Sequence, residues 1–234
     1  MHCAAVCTAL CAAGGRHIFT KVQIMVEYRT INMEEYPRRE HFRYFSAMPV
    51  PTFGITARVD VTGLVRFCRE RRCSFYMAMT HIACLAANGV PELRRRSRDG
   101  GIIEYAKCGT SHIELLPDET YGYCTLWHDM DWDEFIPYAE ACRKRAVSAP
   151  DIEEDVDVDA LYFITTVPWI SYEQVSMPIT SPVDDNPRFC WGRYEEDHRG
   201  RLMLPFTLNA NHALMDGVHA GAFYRRLQEE LDKV

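Results

Sequence analysis

Residues 201–223 read RLMLPFTLNANHALMDGVHAGAF, and this stretch decides the fold. Leu202, Leu204, Phe206, Leu208 and Ala210 recur at every second position, and His212 continues the series. A period of two is the side-chain period of a strand, so residues 201–212 predict one long strand with these side chains on one face. After Gly217 the period changes. Ala220, Phe223, Leu227 and Leu231 stand three or four apart, as on the buried stripe of a helix. The strand therefore hands over to a closing helix through a short corner, with an imidazole at the strand's inward-facing end. Such a ring is partly desolvated, and its neutral form is the one a general base needs. Asp216 can cap the helix or pair with an arginine from elsewhere, and Gly217 permits a conformation or close approach that a larger residue would resist.

The same mixture of periods runs through the rest of the chain. Residues 55–61 alternate as a half-buried strand, and Thr62 then caps a helix to about residue 72 with Leu64, Phe67 and Cys68 on one face. Ser74 opens a more apolar helix that ends at Gly89 and Pro91. The basic run 94–98 reads as a solvated surface and leads into Asp99-Gly100-Gly101, a turn between two strands. Asp131 and Glu134 form a capping-box pattern for a helix through residue 147, with Pro137 near its start. The acid-rich segment 151–159 reads as a solvated loop and lacks the glycine and final glutamate of a calcium loop. Residues 161–167 are apolar and β-branched, as in a buried strand. With no internal repeat and no long linker, these elements predict a one-domain α/β sandwich.

Composition narrows the function. The chain has 234 residues, 26 Lys and Arg against 33 Asp and Glu, and a net charge of -7. It is long enough for a sizeable core, and the acidic balance argues against nucleic-acid binding. No apolar run is long enough to span a membrane. Cys3, Cys7 and Cys11 crowd the start, while the other cysteines show neither C-x-x-C pairs nor zinc-ligand spacing, which suits a reduced compartment. The opening MHCAAVCTALCAAGG resembles the apolar part of a signal peptide but lacks its basic flank and cleavage site. The expectation is that residues 1–24 are an extension, disordered or outside the functional protein, and that residues 25–234 form the domain. His212, Asp216 and His219 would share a face if all were helical. The strand period sets His212 apart, so no metal is expected.

Several blocks carry a resemblance. The segment from Asn211 through Phe223, with its H-x-x-x-D-G core, is similar to the catalytic signature of the chloramphenicol acetyltransferase family, within the CoA-dependent acyltransferases. Arg38-Arg39-Glu40-His41-Phe42, Phe75-Tyr76, Pro91-Glu92-Leu93-Arg94 and Pro168-Trp169 resemble further family blocks in the same order. The resemblance covers about residues 26–234 and implies a two-layer α+β sandwich: a mixed β-sheet with helices packed on one face. It also implies a cytoplasmic homotrimer, with acetyl-CoA as co-substrate and neither metal nor other cofactor, acting on chloramphenicol or another small alcohol. His212 would be the general base and would face a neighbouring subunit. Thr165 stands where the family places an oxyanion-binding serine, and Cys190 where it has a threonine. Asp216 would pair structurally with Arg38. Tyr194, Arg193 and Tyr76 match CoA-binding positions, and Phe45, Tyr123 and Val175 match the acceptor pocket. Asn211 replaces a second family histidine. A non-catalytic small-molecule binder on the same scaffold, or an acyltransferase with another acceptor, remains open from the sequence.

Overall fold

The structure is a computed structural model that describes residues 26–151, 156–179, 181 and 184–234. Residues 1–24, expected to be an extension, lie outside the described residues, as do residues 152–155 of the acid-rich stretch. In chain order the elements begin β1 (Tyr28–Thr30), α1 (Arg39–Ser46), β2 (Thr52–Asp60), α2 (Thr62–Arg71) and α3 (Phe75–Asn88). Next come β3 (Arg95–Arg98), β4 (Gly101–Tyr105), β5 (Gly109–Leu115), β6 (Tyr121–Leu126) and α4 (Trp132–Ser148). The chain then forms β7 (Leu161–Thr166), β8 (Arg188–Trp191), β9 (Glu195–Glu196), β10 (Leu202–Asn211) and α5 (Gly217–Leu231).

The main sheet has the order β2-β10-β8-β7-β5-β6, with β9 paired to the start of β10. Strand β7 runs parallel to β5 and β8, and the other pairs are antiparallel, so the sheet is mixed. Its inward row is the one read from the sequence: Leu204, Phe206 and Leu208 are fully buried against Met79 and Ile82 of α3 and Phe223 and Leu227 of α5. Each such side chain contributes about 1.5–3 kcal/mol on leaving water, which makes this layer the main source of stability. Helix α4 covers β6 on the same side, where Phe135 and Ala139 meet Cys124 and Leu126. The observed α/β fold is therefore the expected mixed sheet with helices on one face.

The opposite face of the sheet is polar. Cross-strand register brings Thr56, Thr207, Cys190 and Thr165 level with one another. The segment after β7 lies over part of this row. The Tyr172 hydroxyl donates to the Cys190 carbonyl at 2.7 Å and accepts from Thr207 Oγ1 at 3.1 Å.

Local expectations fare unevenly. Ser74 caps α3, and Asp131 Oδ1 accepts the N–H groups of Asp133 and Glu134 to start α4. Asp99 and Gly100 both take positive φ, 53° and 74°, so the β3–β4 turn has the twist that two-residue hairpins favour. Thr62, however, is the first helical residue and not the cap; its N–H is met by Asp60 Oδ1 at 3.0 Å. The basic run is also not a solvated surface. Arg96 is 1% exposed, and its guanidinium donates to the carbonyls of Leu93, Arg95 and Leu161. Its neighbours engage carboxylates: Arg95 those of Glu92 and Glu104, and Arg98 that of Asp159. Asp157, at the end of the acid-rich stretch, accepts the Tyr105 hydroxyl at 2.6 Å. Cys68, Cys73, Cys84, Cys108, Cys124, Cys142 and Cys190 are free thiols.

Candidate active site

His212 follows the last residue of β10, and almost every backbone donor around it is accounted for. Its own N–H donates to the Pro51 carbonyl at 2.7 Å. The N–H groups of Leu214 and Met215 both reach the Asn211 carbonyl, at 3.2 and 3.3 Å. The ring is half-buried and stacks face to face on Phe45, with centroids 4.0 Å apart and an interplanar angle of 4°. Phe53 packs on it at 4.8 Å. Nδ1 is shut off from solvent with no hydrogen-bonding partner. The ring is therefore oriented by aromatic contact, and Nε2 is the nitrogen left for an incoming group.

Asp216 does both things the sequence allowed. Oδ1 accepts the Val218 N–H at 3.0 Å and so caps α5, while Oδ2 accepts from Arg38 Nη1. The Asp216 N–H in turn donates to His219 Nδ1 at 3.1 Å. Burial pushes the Asp216 carboxyl up, but the Arg38 bond, the Val218 N–H and nearby charge outweigh it and hold the group below its ordinary range. The pair ties the segment before α1 to the start of α5 and fixes the corner that carries His212. Gly217 contributes less than expected: it has no positive φ, a Cβ there would meet nothing within 4 Å, and nothing in the chain explains the glycine.

Thr165 belongs to a different region. It lies level with Cys190 and Thr207, whereas His212 stands five residues further along β10. That separates the two by about 17 Å along the strand and about 10 Å across it, too far to touch one reacting carbonyl. Tyr123 shares the polar face with Thr165: it pairs with Ile113, and β5 continues its register with β7 one step beyond the His112–Ile164 pair. Val175, also half-buried, lies in the segment after β7, while Phe45 is with His212. The three acceptor-pocket candidates are thus split between the two regions.

The three CoA candidates also separate. Tyr194 is half-buried and meets Phe75 edge-on at 5.5 Å, with exposed Arg193 beside it, 3.6 Å from Glu195. Tyr76 instead lies beneath the sheet, edge-on to His112 at 5.1 Å and beside Trp191, with its hydroxyl shielded. Burial raises that hydroxyl's pKa well above normal, with the Glu114 charge adding to it. It is an interior residue, not an open stacking platform.

The sequence reading missed Phe53, which an earlier start to β2 would have revealed, and Asp185. Asp185 is 5% exposed, and no spacing or motif singles it out. Among the described residues, no three His, Cys, Asp or Glu side chains gather as a metal site would require, and no helix is long and apolar enough to cross a membrane.

The mixed sheet, with helices on one side, thus carries a half-buried imidazole at the end of its long strand. The family described as chloramphenicol acetyltransferase matches residues 26–228, and the chain belongs to that family. A chloramphenicol acetyltransferase of Escherichia coli is 24% identical over 213 residues, spanning 88% of this chain and 94% of that protein. Chloramphenicol acetyltransferase 3, also of Escherichia coli, is 23% identical over 207 residues, spanning 87% and 97%. A solved chloramphenicol acetyltransferase superposes with a TM-score of 0.78 at 20% identity, over 88% of this chain and 100% of that one. A probable dihydrolipoamide acetyltransferase from Listeria monocytogenes gives 0.64 at 17% identity, over 95% and 96%. At these identities the structural likeness shows the fold.

Proposed function

We propose that the chain transfers acetyl from acetyl-CoA to a hydroxyl of chloramphenicol or a related small alcohol, with His212 as general base. The observation that carries this reading is the His212 ring, stacked on Phe45 and packed by Phe53, with Nδ1 enclosed and Nε2 free. Nε2 takes the hydroxyl proton as the oxygen attacks the thioester carbonyl carbon, forming the C–O bond. The tetrahedral oxyanion collapses, the C–S bond breaks, and the imidazolium returns the proton to the departing thiolate. The products are an ester and free CoA. The Thr165 hydroxyl donates a hydrogen bond to the oxyanion. Phe45, Tyr123 and Val175 wall the acceptor, and Tyr194 with Arg193 receives the adenine end of CoA. Arg38 and Asp216 hold the corner without touching substrate.

The distance between His212 and Thr165 in one chain supports a homotrimer in which His212 meets Thr165 of a second copy. Free cysteines and the need for acetyl-CoA favour a cytoplasmic enzyme, and a role in antibiotic resistance follows if chloramphenicol is accepted. The test is thiol release from acetyl-CoA with chloramphenicol and a panel of other alcohols, with and without a chelator. Acceptor-dependent release that ignores the chelator is expected. Ligand binding without release from any acceptor would identify a non-catalytic binding protein instead.

A further inference from the structure

Asp185, Asn211 and the Ala213 N–H form a buried relay beneath the His212 corner. Asp185 Oδ2 accepts the Ser97 N–H at 2.5 Å, and Oδ1 accepts from Asn211 Nδ2 at 2.5 Å. Asn211 Oδ1 accepts the Ala213 N–H at 2.9 Å. Asp185 and Asn211 are each 5% exposed. Burial raises the Asp185 carboxyl above its ordinary range, although the Ser97 N–H, the Arg96 charge and Asn211 act against this. The last bond of the relay closes an Asx turn whose central residue is His212.

Hydrogen-bond polarity gives this relay one allowed arrangement. Ser97 and Ala213 present N–H groups at its two ends, and an N–H can only donate. Asp185 can accept at both its oxygens, so it fixes Asn211 with its amide nitrogen inward and its oxygen toward Ala213. A turned-over amide would set Nδ2 against the Ala213 N–H. From this we infer that Asp185 and Asn211 are positioning residues, which hold the backbone of His212 so that its ring reaches the acceptor hydroxyl. The role rests on His212 being the base. Neither residue touches a reacting atom.

Asp185→Asn is the informative change, since it preserves shape and turns one acceptor into a donor. With the new side-chain amide bonded to Ser97 through its oxygen, its NH₂ group faces the Asn211 Nδ2. Relief of that clash turns the Asn211 amide and opens the Asx turn. A displaced base lowers kcat about 10- to 100-fold. The KM for acetyl-CoA stays within about twofold, because uniform binding is untouched. Adding Asn211→Asp makes residue 211 accept from both the introduced amide and the Ala213 N–H. The D185N/N211D protein therefore regains kcat to within about threefold of the parent, a coupling that independent structural roles would not show.

The experiment measures kcat, KM and Tm for D185N, the double variant and H212A on the full chain, with the acceptor found in the thiol-release panel. A parental kcat in D185N, or a double variant no better than D185N at equal Tm, overturns the relay. If D185N does not fold, N211A serves, because it removes the Ala213 acceptor and leaves the Asp185–Ser97 bond. A folded N211A with parental kcat would likewise overturn the proposal. An inactive H212A beside a fully active D185N defeats the relay alone, whereas an active H212A defeats the reading of the base.

Discussion

Two histidine sites in this molecule differ in what their ring nitrogens meet. His81 and His128 are 1% and 3% exposed and face each other, Nδ1 to Nδ1, at 3.2 Å. His128 Nε2 lies 2.8 Å from Thr110 Oγ1, and Phe135 packs against both rings. Burial brings His81 down to about 4, while burial with the His81 and His112 charges holds His128 well below its ordinary value. These are core histidines, neutral and mutually engaged. His212 has its backbone held, its ring stacked and no hydrogen-bond partner on Nδ1. Depth alone does not separate these sites; what their ring nitrogens meet does.

The contrast breaks most sharply on removal of the ring. His212→Ala should lower kcat about 10²- to 10⁴-fold, read as thiol release, while His81→Phe stays near the parent at pH 7. Thr165→Ala should cost about 10²- to 10³-fold in kcat, and Thr165→Ser should recover most of it, because a hydroxyl remains to donate. For the core pair the expected effect is on stability. Lowering the folded-state value of His81 from 6.5 to about 4 favours the fold while the ring stays neutral. Below pH 6.5 the unfolded chain takes up the proton first, so about 3 kcal/mol disappears as pH falls toward 4. Urea unfolding at pH 7 and 4.5 should show this loss, and His81→Phe should flatten it. The smallest effect belongs to the corner. Arg38→Lys keeps the charge but forfeits the guanidinium geometry, and should lower stability by about 1 kcal/mol, visible as a modest fall in Tm.

The sequence made β10 and α5 legible because their periods of two and three to four are set by one buried face each. Ser74 and Asp131 were legible because a cap acts within a few residues. Arg96 was not, because the carbonyls that satisfy it include Leu161, far away in the chain, and local composition reports only charge. Asp185 was invisible for the same reason: it precedes β8, and its partners, Ser97 and Asn211, come from β3 and β10. The resemblance named His212 and Thr165, but their separation depends on strand order, with β8 between β10 and β7, which no local pattern encodes.

That separation permits a direct test of whether the two groups serve one substrate. His212→Ala and Thr165→Ala proteins, each nearly inactive, would be mixed in equal amounts, dissociated and reassembled, and their thiol release compared with that of the parent. If each site joins His212 of one copy to Thr165 of the next in a ring of three, about a quarter of the sites regain both groups, and about a quarter of parental activity returns. Activity that stays at the mean of the two separate variants, in reassembled oligomers of parental size, would contradict the shared site.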